Sequence, residues 1–287
     1  MAKLIDCIRE AEKKRVAIGH FNFANLTVLN AMFAVARELN VPVIAGVSEG
    51  ERSYVGVREA VALIRSIREE FSYPIFLNAD HTYSLEKVEE AAQAGFDAII
   101  FDGAKLSPEE NTKKTKEAVT IAKRINPDIL VEGELGYIGM SSKLLDNLPE
   151  GVGPEHYTKP EDAGRFVKET GVDLFAPSVG NVHGMLKNVP NPRLDISRIK
   201  EIREKAGVPL VLHGGSGTSD EDFRAAIKTG ISVVHISTEV RVAFKKALEG
   251  EFKEHPDEIA PYKFLAPSKE AVKEVIKNRL VLFNSSR

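Results

Sequence analysis

The sequence is short of the features that would take it out of ordinary globular chemistry. It has one cysteine, Cys7, so no intrachain disulfide is possible, and a small buried thiol is its expected role. No apolar run approaches the ~20 residues of a membrane-spanning helix, so no membrane partner is expected. Charge of one sign is lacking too. Lys and Arg number 39 against 42 Asp and Glu, a net of −3, and without a basic field neither nucleic acid nor an anionic membrane is indicated. A phosphate-bearing ligand would have to be held by local donors. No linker, low-complexity tract or composition break divides the chain, and Met1–Glu12 reads as charged and helical rather than as a leader. The expectation is one domain over residues 1–287, in the cytoplasm.

What is present is alternation on a larger scale. Short apolar runs occupy Val16–Asn22, Pro42–Ser48, Pro74–Asp80, Ala98–Asp102, Asp128–Glu134, Asp173–Val179, Pro209–Gly214 and Ser232–Thr238, with amphipathic stretches between them. The runs are apolar on both faces, the pattern of parallel strands covered on both sides. In Ser84–Ala94, Ser84 can cap a helix, Leu85, Val88, Ala91 and Ala92 form its stripe, and Gly95 can end it. Eight strand–helix units in a chain of this length predict an α/β fold, a (β/α)8 TIM barrel, over an open sheet. Two long loops, Gly136–Thr158 and Gly180–Asp195, follow the fifth and sixth runs. They therefore lie at the strand C-termini, where barrel active sites are built.

Polar residues collect at those same ends: Asn22, Ser48, Asp80, His81, Asp102, Glu134, His183, His213, His235, Ser237 and Thr238. For any one of them, a strand simply reaching solvent is an adequate account; for all the strands together it is a poor one. His81, His183 and His213 are the sharpest subset, because three imidazoles with an open position make a catalytic zinc arrangement. Their spacing in sequence does not identify zinc; the barrel has to bring them together. His20, beside Asn22, is expected to pack rather than ligate, and His156 and His255 to be solvated. His213-Gly214-Gly215-Ser216-Gly217 is a glycine-rich turn whose N–H groups can face an anion, and with Ser237 and Thr238 it occupies the recurrent phosphate position of this fold.

Asn78-Ala79-Asp80-His81, Phe101-Asp102-Gly103, Glu109-Glu110-Asn111, Val131-Glu132-Gly133-Glu134-Leu135-Gly136, Tyr157-Thr158-Lys159-Pro160, Gly180-Asn181-Val182-His183-Gly184 and Leu212-His213-Gly214-Gly215-Ser216-Gly217 together resemble the class II ketose-bisphosphate aldolases. The similarity runs in order from about Phe21 to the C-terminal helix, and the compact tail is more similar to the tagatose/fructose-bisphosphate subgroup.

The resemblance implies a metal-dependent carbon–carbon lyase. It would cleave a ketose 1,6-bisphosphate (fructose- or tagatose-bisphosphate) reversibly to dihydroxyacetone phosphate and an aldehyde phosphate. It implies Zn2+ on His81, His183 and His213, with Asp102 and Glu134 matching a second, alternative metal position. Asp80 would exchange the hydroxyl proton at the bond being cleaved, while the metal stabilises the enediolate as a Lewis acid. Gly184, Lys187, Gly214, Ser216 and Thr238 would hold the dihydroxyacetone-phosphate moiety, with Asn22 and Ser48 lining the same mouth. Arg241 would reach a neighbouring subunit's substrate phosphate in a homodimer or homotetramer. No Schiff-base lysine is required, and Lys105 reads as a solvated loop residue.

Two departures from the family pattern stand out. The asparagine usual on the eighth strand is His235, and the loop after the fifth strand, Gly139-Met140-Ser141-Ser142-Lys143, has no carboxylate before Asp146 and Glu150. Strand alternation puts His235 and Ser237 on one face and Val234 and Ile236 on the other, so His235 should point into the barrel. There it can pack, replace the asparagine or carry a proton near its ordinary pKa of ~6.5, or add a fourth zinc ligand. Two other readings compete with the aldolase: a metal-dependent barrel hydrolase, and a weakly active paralogue with a changed donor substrate. Against the hydrolase, the first strand offers His20-Phe21-Asn22 rather than His-x-His.

Overall fold

The chain's structure, a computed structural model, describes residues 2–140 and 142–285. In chain order the strands are β1 (Ile18–Asn22), β2 (Val43–Val47), β3 (Ile75–Thr82), β4 (Ala98–Phe101), β5 (Leu130–Leu135), β6 (Leu144–Leu145), β7 (Leu174–Pro177), β8 (Met185–Leu186), β9 (Leu210–Leu212) and β10 (Ile231–Ile236). All but β6 and β8 close into a parallel barrel in the order β1-β10-β9-β7-β5-β4-β3-β2. Each predicted run thus supplies one barrel strand, and the (β/α)8 barrel is the observed fold. The helix predicted after Ser84 spans Leu85–Ala94, with the Ser84 hydroxyl accepting from the Lys87 N–H and Gly95 closing it in a left-handed conformation.

Alternation along the strands separates two environments. Outward residues such as Phe21, Leu77, Val131, Leu212, Val234 and Ile236 pack against the surrounding helices in one large core. Inward residues form layers. The lowest layer is apolar, with Ile18, Ile44, Phe76, Ala98, Leu130, Leu174, Val211 and Val233 drawn from the eight barrel strands. The helix Leu4–Lys14 closes this floor with Leu4, Ile8 and Ala11, whose spacing puts them on one face. Two residues further along, the interior turns polar on five of the eight strands, with His20 on β1, Asn78 on β3, Glu132 on β5, His213 just past β9 and His235 on β10, all buried. The long loops that follow β5 and β7 are joined above the barrel by β6 and β8, which pair in parallel.

Candidate metal centre and active site

Asp80 and His81 are consecutive on β3, so plain alternation would send them to opposite faces. The strand avoids this with a register shift between Ala79 and Thr82 and a left-handed backbone at His81, φ 41°. A bulge re-aims a side chain in this way, and a positive φ at a residue other than glycine is a local cost held by its surroundings. Both side chains then face the mouth. His183 arrives on the loop after β7, its N–H donating to the Ile138 carbonyl at 2.8 Å, while the Asn181 amide donates to the His213 carbonyl at 3.0 Å. That close crossing explains Gly214, which sits at φ 60° and where a Cβ would meet the Val182 oxygen at 2.5 Å.

One ligand atom from each of His81, Glu134, His183 and His213 falls within 4.8 Å of the others. The ring nitrogens sort themselves by their partners. His81 Nδ1 lies 2.8 Å from an Asp102 oxygen and His213 Nε2 lies 2.6 Å from Glu132. Carboxylates on the far nitrogens leave His81 Nε2 and His213 Nδ1 to face each other at 3.3 Å. His183 Nε2 and Glu134 Oε2 are buried without a hydrogen-bond partner. Unpaired buried acceptors are costly, and a cation among them satisfies the set. The donor chemistry, imidazoles steered by outer carboxylates, fits a divalent metal. Asp102, expected as a ligand at a second metal position, is instead occupied in orienting His81, whereas Glu134 does join the cluster.

The electrostatics also favour a positive charge here. Burial lowers the His81 pKa, but Asp80, Asp102 and Glu134 outweigh it and raise it to about 10. Burial, with Asp102 adding to it, raises Glu134 to about 8. Burial also pushes Asp80 up, yet the neighbouring His81, His235 and His20 hold it well below the usual carboxylate range. Its Oδ2 accepts from the Asn22 amide at 2.8 Å. The chain therefore presents an ionised carboxylate beside the candidate metal seat.

Two connected cavities open over this centre. One is lined by Gly184, Gly214, Ser216, Ser237 and Thr238 together with Asp80, His183 and His235. It lies at the start of the helix Thr238–Glu254, and the Ser237 hydroxyl is buried without a partner. The other is lined by Asn22, Ser48, Glu49, Asp80, Tyr83, Met140, Ser142 and Arg241. Lys187 lines neither cavity; it follows β8 and its ammonium bonds Asp146 at 2.9 Å, so it is not brought to the site as expected. Arg241 faces its own chain's cavity and bonds Glu51 at 2.6 Å. Ser141 lies outside the described residues; around it, Gly139, Met140 and Ser142 reach the cavity while Asp146 and Glu150 are exposed.

His235 points inward as alternation requires. It stacks between His20, centroids 3.5 Å apart, and His213, 4.0 Å apart. Its surroundings do not leave it near 6.5. Burial first, then His20 and His213, hold its pKa well below the ordinary value. His20 is packed, with Nε2 3.2 Å from the Asn78 amide, and it fits because a Cβ at Gly46 would lie 2.1 Å from its ring. Glu132, Glu51 and Asn78 were not singled out from the sequence. Glu132 was legible as the inward neighbour two residues before Glu134, and Glu51 as the last residue of a Ser48-x-x-Glu51 capping box.

A closed parallel barrel with a three-histidine, carboxylate-flanked centre at its strand ends defines a metal-dependent barrel enzyme. Residues 2–287 match the family described as fructose-bisphosphate aldolase class-II, and the chain belongs to that family. It is therefore a class II aldolase, a lyase of a metal-dependent family, and not the barrel hydrolase that competed with it. It is 34% identical to the fructose-bisphosphate aldolase of Geobacillus stearothermophilus, over 100% of this chain and 98% of that protein. A protein of the same name from Staphylococcus epidermidis is 32% identical with the same coverage. The crystal structure of the YdjI aldolase from Escherichia coli K12 superposes with a TM-score of 0.81 at 30% identity, over 100% of this chain and 98% of that one.

Proposed function

We propose that this chain reversibly cleaves a ketose carrying a 1-phosphate into dihydroxyacetone phosphate and an aldehyde, using Zn2+ held by His81, His183 and His213. The observation that carries the proposal is the convergence of the three imidazoles beside a buried, ionised Asp80. Zinc suits an all-imidazole ligand set with an open position, and when bound it supplies Lewis-acid stabilisation of negative charge on the ketose oxygens.

The chain's own residues supply the rest. Asp80, held by the Asn22 amide, accepts the proton of the hydroxyl at the bond being cleaved. Gly214, Ser216, Ser237 and Thr238, with Gly184 opposite, offer the 1-phosphate a seat at a helix start and an unpaired hydroxyl. Asn22, Ser48 and Arg241 line the half where the aldehyde leaves. His235, neutral and stacked in the family's asparagine position, stands beside the centre as a donor rather than an acid.

Fructose 1,6-bisphosphate, named for several relatives, and tagatose 1,6-bisphosphate, which the sequence resemblance implies, head the panel of ketose phosphates to assay. A homodimer or homotetramer is the proposed assembly, and the cytoplasm the proposed location. The test is a coupled assay for triose phosphate with and without chelator, paired with metal analysis of dialysed wild type and His213→Ala. Chelator-sensitive release of dihydroxyacetone phosphate and loss of metal from the variant are expected. Unchanged metal content in His213→Ala would remove the ligand assignment.

A further inference from the structure

The two cavities over the metal centre differ in charge. The one at Gly214, Ser216, Ser237 and Thr238 has Asp80 as its one lining carboxylate among the described residues, and it offers backbone and hydroxyl donors. The one at the mouth holds Glu49, Asp80 and Asp102, with Arg241 the one guanidinium or ammonium group among the described residues lining either cavity. Arg241 is already engaged. Its guanidinium bonds Glu51 Oε1 at 2.6 Å. Glu51 is itself fixed, because its other oxygen accepts from the Asn22 amide at 2.8 Å, the Ser48 N–H at 2.8 Å and the Ser48 hydroxyl at 2.9 Å. At 9% exposure this carboxylate would be left buried without its countercharge if Arg241 swung to another anion, a costly change. Glu49, held by the Tyr83 N–H at 2.8 Å, adds a second fixed negative charge.

We propose that Glu51 is a specificity-determining residue: it neutralises Arg241, so the site seats one phosphate, and the aldehyde half of the substrate is an uncharged hydroxyaldehyde. The inference rests on the aldolase reading above and narrows its substrate to ketose 1-phosphates without a far phosphate. In the synthetic direction a carbon–carbon bond forms between C3 of dihydroxyacetone phosphate and the aldehyde carbon. The proton lost from C3 is balanced by one gained on the aldehyde oxygen, so no co-reactant is needed. Ser142, and the oxygens of Ser48 and Asn22 as acceptors, line this half and can pair with an acceptor's hydroxyls.

The experiment measures kcat/KM of the metal-loaded wild type for dihydroxyacetone phosphate with glyceraldehyde and with glyceraldehyde 3-phosphate. Glyceraldehyde is expected to be preferred by about tenfold or more, each tenfold being ~1.4 kcal/mol. Glu51→Gln should move the ratio toward the phosphorylated acceptor by freeing the Arg241 charge. Equal use of the two, or preference for glyceraldehyde 3-phosphate, would overturn the proposal while leaving the aldolase reading intact. Consumption of neither would overturn both. The wild-type ratio decides the matter even if the variant folds poorly.

Discussion

Asp80 is the proposed proton carrier, and its surroundings suit it to that role. It is buried, yet the charged His81 beside it holds it ionised and Asn22 fixes one oxygen. Asp80→Asn should keep the metal and lower turnover by roughly 10²–10⁴-fold, the usual cost of losing a positioned acid–base group; metal analysis beside a rate assay checks it, and turnover within a few-fold of wild type would remove Asp80 as the proton carrier. His235 is a contrasting case. An imidazole held well below its ordinary pKa stays neutral through the neutral range. His235→Asn should therefore change the size of kcat without moving its acid limb, and a displaced limb in the pH–rate profile would return His235 to proton transfer. The metal-free centre makes its own prediction. His81, raised from 6.5 to about 10, and Glu134, raised from 4.5 to about 8, both hold protons in the folded chain after the unfolded chain has lost them. Stability of the chelator-treated protein should thus fall as pH rises from 7 to 10, through the linkage of protons to folding. Thermal unfolding across that range tests it, and a flat profile would contradict the raised pKa values. Metal binding, which must displace the His81 proton, should flatten the profile.

At the level of elements, the barrel strands were legible because each is apolar on both faces and bounded by turn residues, a signal that needs no knowledge of partners. The inward direction of His235 followed from alternation alone. The direction of His81 did not, since alternation gives the wrong face and only the β3 bulge corrects it. Pairing of β6 with β8 was invisible, because two-residue strands in glycine- and proline-rich loops leave no periodic pattern. The Arg241–Glu51 pair spans 190 positions, and Lys187 was expected at the site from similarity when Asp146 in fact holds it. The helix Leu4–Lys14 carries a testable burden of its own. Ile8 is fully buried against the barrel floor, so Ile8→Ala should cost about 2–5 kcal/mol. Denaturant unfolding should register that loss while metal content is retained; a change under about 0.5 kcal/mol, the range of ordinary surface substitutions, would mean that the floor does not depend on this helix.

Across the whole molecule, no helix among the described residues is long and apolar enough to cross a membrane, and several large apolar side chains, Ile259 and Tyr262 among them, face outward. Light scattering at micromolar concentration should report at least a dimer; a monomer would count against the proposed assembly. The apolar floor has a kinetic consequence. With one end of the barrel sealed by Leu4, Ile8 and Ala11, the catalytic well is a cul-de-sac, and everything that enters must return by the same route. The seat around Ser216 and Thr238 is buried, whereas Tyr83 and Met140 at the rim are exposed. On the proposed reaction, a triose phosphate anchored at the bottom would be first in and last out, trapped behind the aldehyde until that has gone. Dihydroxyacetone phosphate should accordingly inhibit cleavage competitively with the ketose, and the aldehyde non-competitively.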